Sequence, residues 1–122
     1  MCLLMLALGV FVGIIFGSIP GLTATLGVTL FIPFTYTLAA VQGLTLLIAV
    51  YVGGISGGLI TATLINIPGT PSSIYTCFDG YPMTQKGQAS KALGIGMTAS
   101  FIGTVCSVAI ATVLSPVIAE AA

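Results

Sequence analysis

Apolar residues fill this chain in long continuous blocks, not in the alternation of a half-buried strand or the one-sided stripe of a surface helix. Residues 2–19 form an uncharged block of 18 residues. As a helix it would reach about 27 Å, close to the roughly 30 Å of bilayer hydrocarbon. Residues 40–65 carry neither charge nor proline, and residues 92–114 are the last long apolar block. These three blocks predict membrane spans. Residues 23–32 and 72–78 are too short to cross and predict short helices or half-helices, 23–32 alternatively a kinked continuation of the first block. Residues 34–39 predict a turn of interfacial character at Tyr36. Residues 79–90 predict a polar turn region, because Asp79-Gly80 and Tyr81-Pro82 are turn dipeptides.

Glycine punctuates the blocks at helical intervals. Gly9, Gly13, Gly17 and Gly21 recur at every fourth position, and Gly53, Gly54, Gly57 and Gly58 form two pairs one turn apart. Gly is costly in a soluble helix. Within lipid such small-xxx-small stripes let a second helix approach closely. Gly94, Gly96 and Gly103 suggest packing in the last block.

Composition turns these blocks into a membrane protein. Charged residues are 3% of 122, against about 25% in a soluble domain, and mean hydropathy is +1.25. Asp79, Lys86, Lys91 and Glu120 cannot supply a polar shell. The fold class expected is all-α, a polytopic transmembrane protein with helices broken at Pro and Gly, and the lipid bilayer is its solvent. Residues 2–19 lack the basic segment of a signal peptide and are read as a span. The two lysines place their loop in the cytoplasm by the positive-inside rule.

Several function classes fall away. A net charge of zero offers no footprint for nucleic acid. The chain has no His, no carboxylate pair and no G-x-S-x-G, so no nucleophile has an evident base and an enzyme is not expected. Cys2, Cys77 and Cys106 are far apart and suggest neither a disulfide framework nor a metal cluster, and no cofactor is expected.

The chemistry that remains lies in two similar breaks. Ile19-Pro20-Gly21-Leu22-Thr23 and Ile67-Pro68-Gly69-Thr70-Pro71 share an I-P-G core, and each leads into a hydroxyl-bearing segment. Thr23 and Thr25 follow the first break; Thr70, Ser72 and Ser73 follow the second. Thr70 suits an N-cap, and Pro71 suits the first helical position, where its missing N–H would be unpaired anyway. A helix start carries about half a positive charge and several free N–H groups. Lining a polar cavity, it holds an anion without a buried Arg or Lys. The candidate solute-binding residues are therefore Pro20, Gly21, Thr23, Thr25, Asn66, Pro68, Gly69, Thr70, Ser72 and Ser73. Carbonyls freed at the breaks offer oxygen to a cation such as sodium. Both breaks could instead be surface loops. Asn66 could bind solute or cap its helix, and Asp79 is placed in a turn in preference to an ion-coupling role.

The runs Gly17–Gly27, Tyr51–Gly58 and above all Asn66–Gly94, which reads N-I-P-G-T-P-S-S-I-Y-T-C-F-D-G-Y-P-M-T-Q-K-G-Q-A-S-K-A-L-G, resemble the large membrane subunit of bacterial tripartite tricarboxylate transporters. The resemblance covers nearly the whole chain but about the first quarter of a typical member. It implies uptake of citrate-like di- or tricarboxylates across the bacterial inner membrane, driven by an ion gradient, with sodium as coupling ion. It also implies a small membrane subunit and a periplasmic solute-binding protein as partners. Pro20, Gly21, Asn66, Pro68, Gly69 and Asp79 carry the family's motifs. Leu59 stands where the family commonly has a hydroxyl residue. Three spans cannot enclose an alternating-access path, so residues 1–122 are expected to be the N-terminal part of a larger subunit. The alternative is a membrane-embedded structural or assembly subunit whose glycines serve packing only, with no flux of its own.

Overall fold

The computed structural model describes all residues, 1–122. It is built from five α-helices and one 3₁₀ turn, with no strand: α1 (Cys2–Ser18), α2 (Ala24–Thr35), α3 (Ala40–Ile65), the turn Pro71–Ser73, α4 (Ile74–Gln85) and α5 (Ala89–Ala121).

The centre of the fold is α3, and its core is made of backbone. Gly9, Gly13 and Gly17 of α1 are buried against Ala49, Val50, Gly53 and Gly54 of α3. A Cβ at Gly9 would lie 2.6 Å from that of Ala49, and one at Gly57 2.5 Å from the carbonyl oxygen of Ile14. One at Gly17 would collide with the Gly54 carbonyl. The helices touch main chain to main chain, where van der Waals packing has most atoms to work with in a lipid environment. Only Val50 and Thr63 are larger side chains with no exposure, while Leu3, Phe11, Val41, Leu44 and Phe101 face outward. That inversion suits hydrocarbon as the surrounding solvent.

Contact order along the helices gives their directions. Gly9 meets Ala49, Gly13 meets Gly54 and Gly57 meets Ser18, so α1 and α3 run parallel. Ala24 meets Gly54, Gly27 meets Val50 and Thr35 meets Gly43, so α2 runs back, antiparallel to α3. After α3 the chain doubles back. Gly69 rests on the Gly17 carbonyl and on Gly58, and Thr70 and Ser73 lie beside Gly58. From there α4 climbs again: Gly80 packs on Thr63, and the Thr84 hydroxyl donates to the Thr63 carbonyl at 2.7 Å. α5 then descends along α3, with Gly96 on Leu59.

The result is two hairpins, the helical pair α1–α2 and the irregular segment 66–70 with α4, that approach from opposite ends of α3 and meet tip to tip. Their meeting level is Gly58. That residue is seven positions before Ile65, the end of α3, or about 10 Å of helix rise, and eighteen past Ala40, or about 27 Å. The breaks therefore lie within the length of the central helix, α3, rather than beyond its ends.

Several expected boundaries change. Residues 2–19 are the first arm of a hairpin: α1, at 17 residues, ends level with the Gly54–Gly58 stretch, while α3 and α5 are the two helices long and apolar enough to cross unaided. Gly21 leaves the glycine stripe and sits in open space at φ +95°. Leu22 N–H donates to the Ile19 carbonyl at 3.1 Å, and Pro20 and Gly21 fill the two central positions as a type II turn requires. The element expected at 72–78 begins with the 3₁₀ turn at Pro71 and continues as α4 to Gln85, straight through Asp79-Gly80 and Tyr81-Pro82. The turn is instead at Gly87, φ +77°. Pro33 and Pro116 likewise sit inside α2 and α5. Each proline forfeits one hydrogen bond, whereas ending the helix would free several backbone groups, a larger penalty where water is scarce. α5 starts at Ala89 rather than 92 and passes the expected end at 114. Gly94 and Gly103 meet nothing within 4 Å.

Gly17→Ala should destabilise the chain by about 1–3 kcal/mol, the usual cost of overpacking. Gly103→Ala should be neutral or slightly stabilising, since alanine favours a helix. Thermal unfolding in detergent checks both, and equal effects would mean that α1 and α3 are not in backbone contact.

Candidate functional site

Both hairpin tips are formed by local rules. At the first, Thr23 has extended backbone (φ −77°, ψ 158°) and its hydroxyl oxygen accepts from Leu26 N–H at 3.3 Å, the N-cap bond that starts α2. The Gly27 N–H bonds the Thr23 carbonyl, which leaves the Ala24 and Thr25 N–H groups without a protein partner. Because Thr23 Oγ1 accepts, its own proton remains free to donate.

At the second tip Asn66 ends α3 in the left-handed region (φ 59°, ψ 26°), the one non-glycine residue with positive φ. Asn tolerates this conformation, so its position is that of a helix cap. Thr70 precedes Pro71 as expected, but its side chain does not cap the backbone. Instead its hydroxyl bonds those of Ser73 at 2.7 Å and Ser72 at 3.1 Å. Ser73 N–H donates to the Thr70 carbonyl at 3.0 Å, and Ser72 N–H has no partner. Thr70 and Ser73 are buried, while Ser72 is exposed. A Cβ at Gly58 would come to 3.0 Å from both the Thr70 and Ser73 hydroxyl oxygens, so α3 presents glycine where the hydroxyl chain needs room.

The two tips open on one recess of 230 Å³, lined by Thr23, Ala24 and Thr25 from the start of α2, Thr70, Pro71 and Ser72 from the second break, and Tyr51 and Ile55 from α3. No charged side chain lines it. The residues lining it include two helical starts with unbonded N–H groups and several hydroxyls, a donor set suited to an anion. The chain Ser73–Thr70–Ser72 can order its protons in two ways. With Ser73 donating to Thr70 and Thr70 to Ser72, the Ser72 proton points outward to an anion. The reverse order presents the Ser72 lone pairs.

The structure divides the ten residues named from the sequence. Thr23, Thr25, Thr70 and Ser72 share this recess, and Ser73 and Gly69 lie buried directly behind it. Pro20 and Gly21 are exposed in the turn beyond α1, outside the recess. Asn66 and Pro68 face a separate 450 Å³ recess with Ile74, Cys77, Phe78, Tyr81 and Pro82. Asp79 is not in a turn: it is exposed on α4, beside a 290 Å³ recess shared with Ala92 and Gly96 of α5. Leu59 packs on Gly96. Sequence reasoning missed Tyr51 and Ile55 as lining residues. Their spacing to Gly58, at i, i+4 and i+7, places all three on one helical face.

This tip-to-tip geometry lies within a stretch that is recognisable in other proteins. The profile described as the tripartite tricarboxylate transporter TctA family matches residues 3–122. The chain belongs to that family. It is also 36% identical over 114 residues to a protein of Agrobacterium vitis named "Uncharacterized 52.8 kDa protein in TAR-I ttuC' 3'region". The aligned part is 93% of this chain and 23% of that protein, so the chain spans about a quarter of its relative's length. No solved structure matches it.

Thr70→Val keeps the shape of this hydroxyl chain but leaves the buried Ser73 hydroxyl without a partner. It should cost about 1–3 kcal/mol of stability, whereas Ser72→Ala, at an exposed position, should stay within about 0.5 kcal/mol. Unfolding in detergent micelles measures both. Equal stability of Thr70→Val and the parent would show that the hydroxyl chain does not hold the tip.

Proposed function

We propose that the chain is part of the membrane subunit of a secondary transporter in the bacterial inner membrane. It takes up citrate-like di- or tricarboxylates, driven by an ion gradient. Its partners are a small membrane subunit and a periplasmic solute-binding protein. The observation that supports this most is the shared recess, in which Thr23, Thr25, Thr70 and Ser72 gather at two helical starts with no charge among them.

The reading follows from the cost of the alternatives. A fixed Lys or Arg at mid-bilayer costs about 2.5–3.5 kcal/mol on insertion scales. Helix starts and hydroxyls attract a carboxylate without that cost, and they release it more readily than a full cation would. A transporter needs both halves of that behaviour. Secondary transporters place broken helices at such sites, their starts toward anionic groups and their freed carbonyls toward a cation. Sodium is the coupling ion this chemistry accommodates. The buried glycines also fit the alternative of a structural subunit without flux, since they explain α1–α3 packing by themselves. That alternative gives no role to the outward hydroxyls of Thr25 and Ser72.

In proteoliposomes holding the complete transporter, citrate or succinate uptake should require a sodium or proton gradient. Thr25→Val and Ser72→Ala should each weaken uptake about tenfold or more, the scale of one hydrogen bond to a charged group. Gradient-independent uptake would remove the ion coupling, and absent uptake by the parent would remove the transport reading. Full uptake by both variants would reduce the recess to a packing feature.

A further inference from the structure

Tyr51 belongs to two cavities at once. With Ile55 it lines the hydroxyl recess of 230 Å³ and also an adjoining groove of 280 Å³ between α3 and α5. Each is smaller than the usual lower limit of about 300 Å³ for a small-molecule pocket, and the two together fall inside the usual range. The residues they share, Tyr51 and Ile55, are one turn apart on α3, so Tyr51 lines both cavities. Tyr51 is 49% exposed, and its hydroxyl makes no hydrogen bond within the chain. Across the groove, Ser56 and Thr104 spend their protons on the carbonyls of Val52 and Ser100, at 3.0 and 2.7 Å. The free donors there are the hydroxyls of Tyr51 and Ser100.

We propose that Tyr51 determines solute specificity: its phenol donates to a second carboxylate of the solute, so the site favours di- and tricarboxylates over monocarboxylates. This rests on the transport reading above. One carboxylate accepts at about four lone-pair positions. The residues around the recess carry unbonded N–H groups at Ala24, Thr25 and Ser72 and hydroxyls at Thr23, Thr25 and Ser72, as many donors as a first carboxylate needs. The Tyr51 phenol, at the boundary, is left for the next anionic group along the solute. A site that donates to such a group discriminates strongly against an analogue lacking it, because the donor is then left unpaired.

The test uses the complete transporter in proteoliposomes. Uptake of labelled succinate and its inhibition by citrate, succinate and propionate are measured for the parent and for Tyr51→Phe, which keeps the ring and removes the hydroxyl. The expected result is a KM for succinate raised about tenfold or more, the same loss for citrate inhibition, unchanged propionate inhibition and retained maximal rate. Parental uptake with an unaltered KM in Tyr51→Phe would overturn the assignment and leave the transport reading standing. So would equal weakening of all three solutes, or a fall in maximal rate alone, because either indicates a structural role. Absence of succinate and citrate uptake by the parent would overturn both readings together.

Discussion

Everything in this fold depends on how closely the backbones of α1 and α3 approach. Gly13 and Gly17 face Gly53, Gly54 and Gly57 with no side chain between them, and Gly69 then rests on the Gly17 carbonyl. Any Cβ in that layer pushes the two helices apart. The first hairpin would move off α3, and the second would lose the surface on which its tip sits. In water a hydrophobic core could absorb part of such a change. In lipid, where association relies on contact and not on exclusion of water, close approach is the main attraction available. Glycine's usual penalty within a helix is accepted here because side-chain removal brings main chain against main chain.

That contact sets the chemistry of the meeting point. Because the tips meet beside Gly58, inside the length of α3, residues of both helical starts line one shared recess. Thr23 uses its oxygen to cap α2 and keeps its proton. Thr70 gives up capping altogether and instead joins Ser72 to Ser73. The recess thus acquires donors from the main chain and from hydroxyls, while Asp79 and both lysines stay outside it. Under the proposed function, such a neutral site would hold a carboxylate by many weak, directed interactions, which suits a solute that has to leave again.

Much of this was legible in the sequence, and the exceptions have a common cause. The fourfold glycine spacing announced a close helix contact, and the repeated I-P-G core announced two breaks of the same kind. Asn66, which the sequence left open between capping and binding, sits in the left-handed conformation that ends α3. The errors came from turn rules learned in water. Asp79-Gly80 and Tyr81-Pro82 read as turns, yet Gly80 is in a helix because Thr63 packs against it, and α4 carries Pro82 without ending. Residues 2–19 were long enough to read as a span, but length alone does not reveal that α1 stops level with the Gly54–Gly58 stretch. The pairing of the tips was not legible either. Two breaks 48 positions apart, Pro20 and Pro68, become neighbours only through their common support on α3.

The central claim is that a carboxylate solute occupies the space between the two tips. Its most direct test is solute protection of single cysteines placed at Thr25 and at Ser72 in a background without native cysteines, in the complete transporter in membranes. Citrate or succinate at saturating concentration should slow maleimide labelling at both positions, and leave unchanged the labelling of a third single cysteine placed at exposed Tyr75 of α4. Labelling at 25 and 72 that proceeds at the same rate with and without solute, in a transporter that still takes the solute up, would contradict the claim.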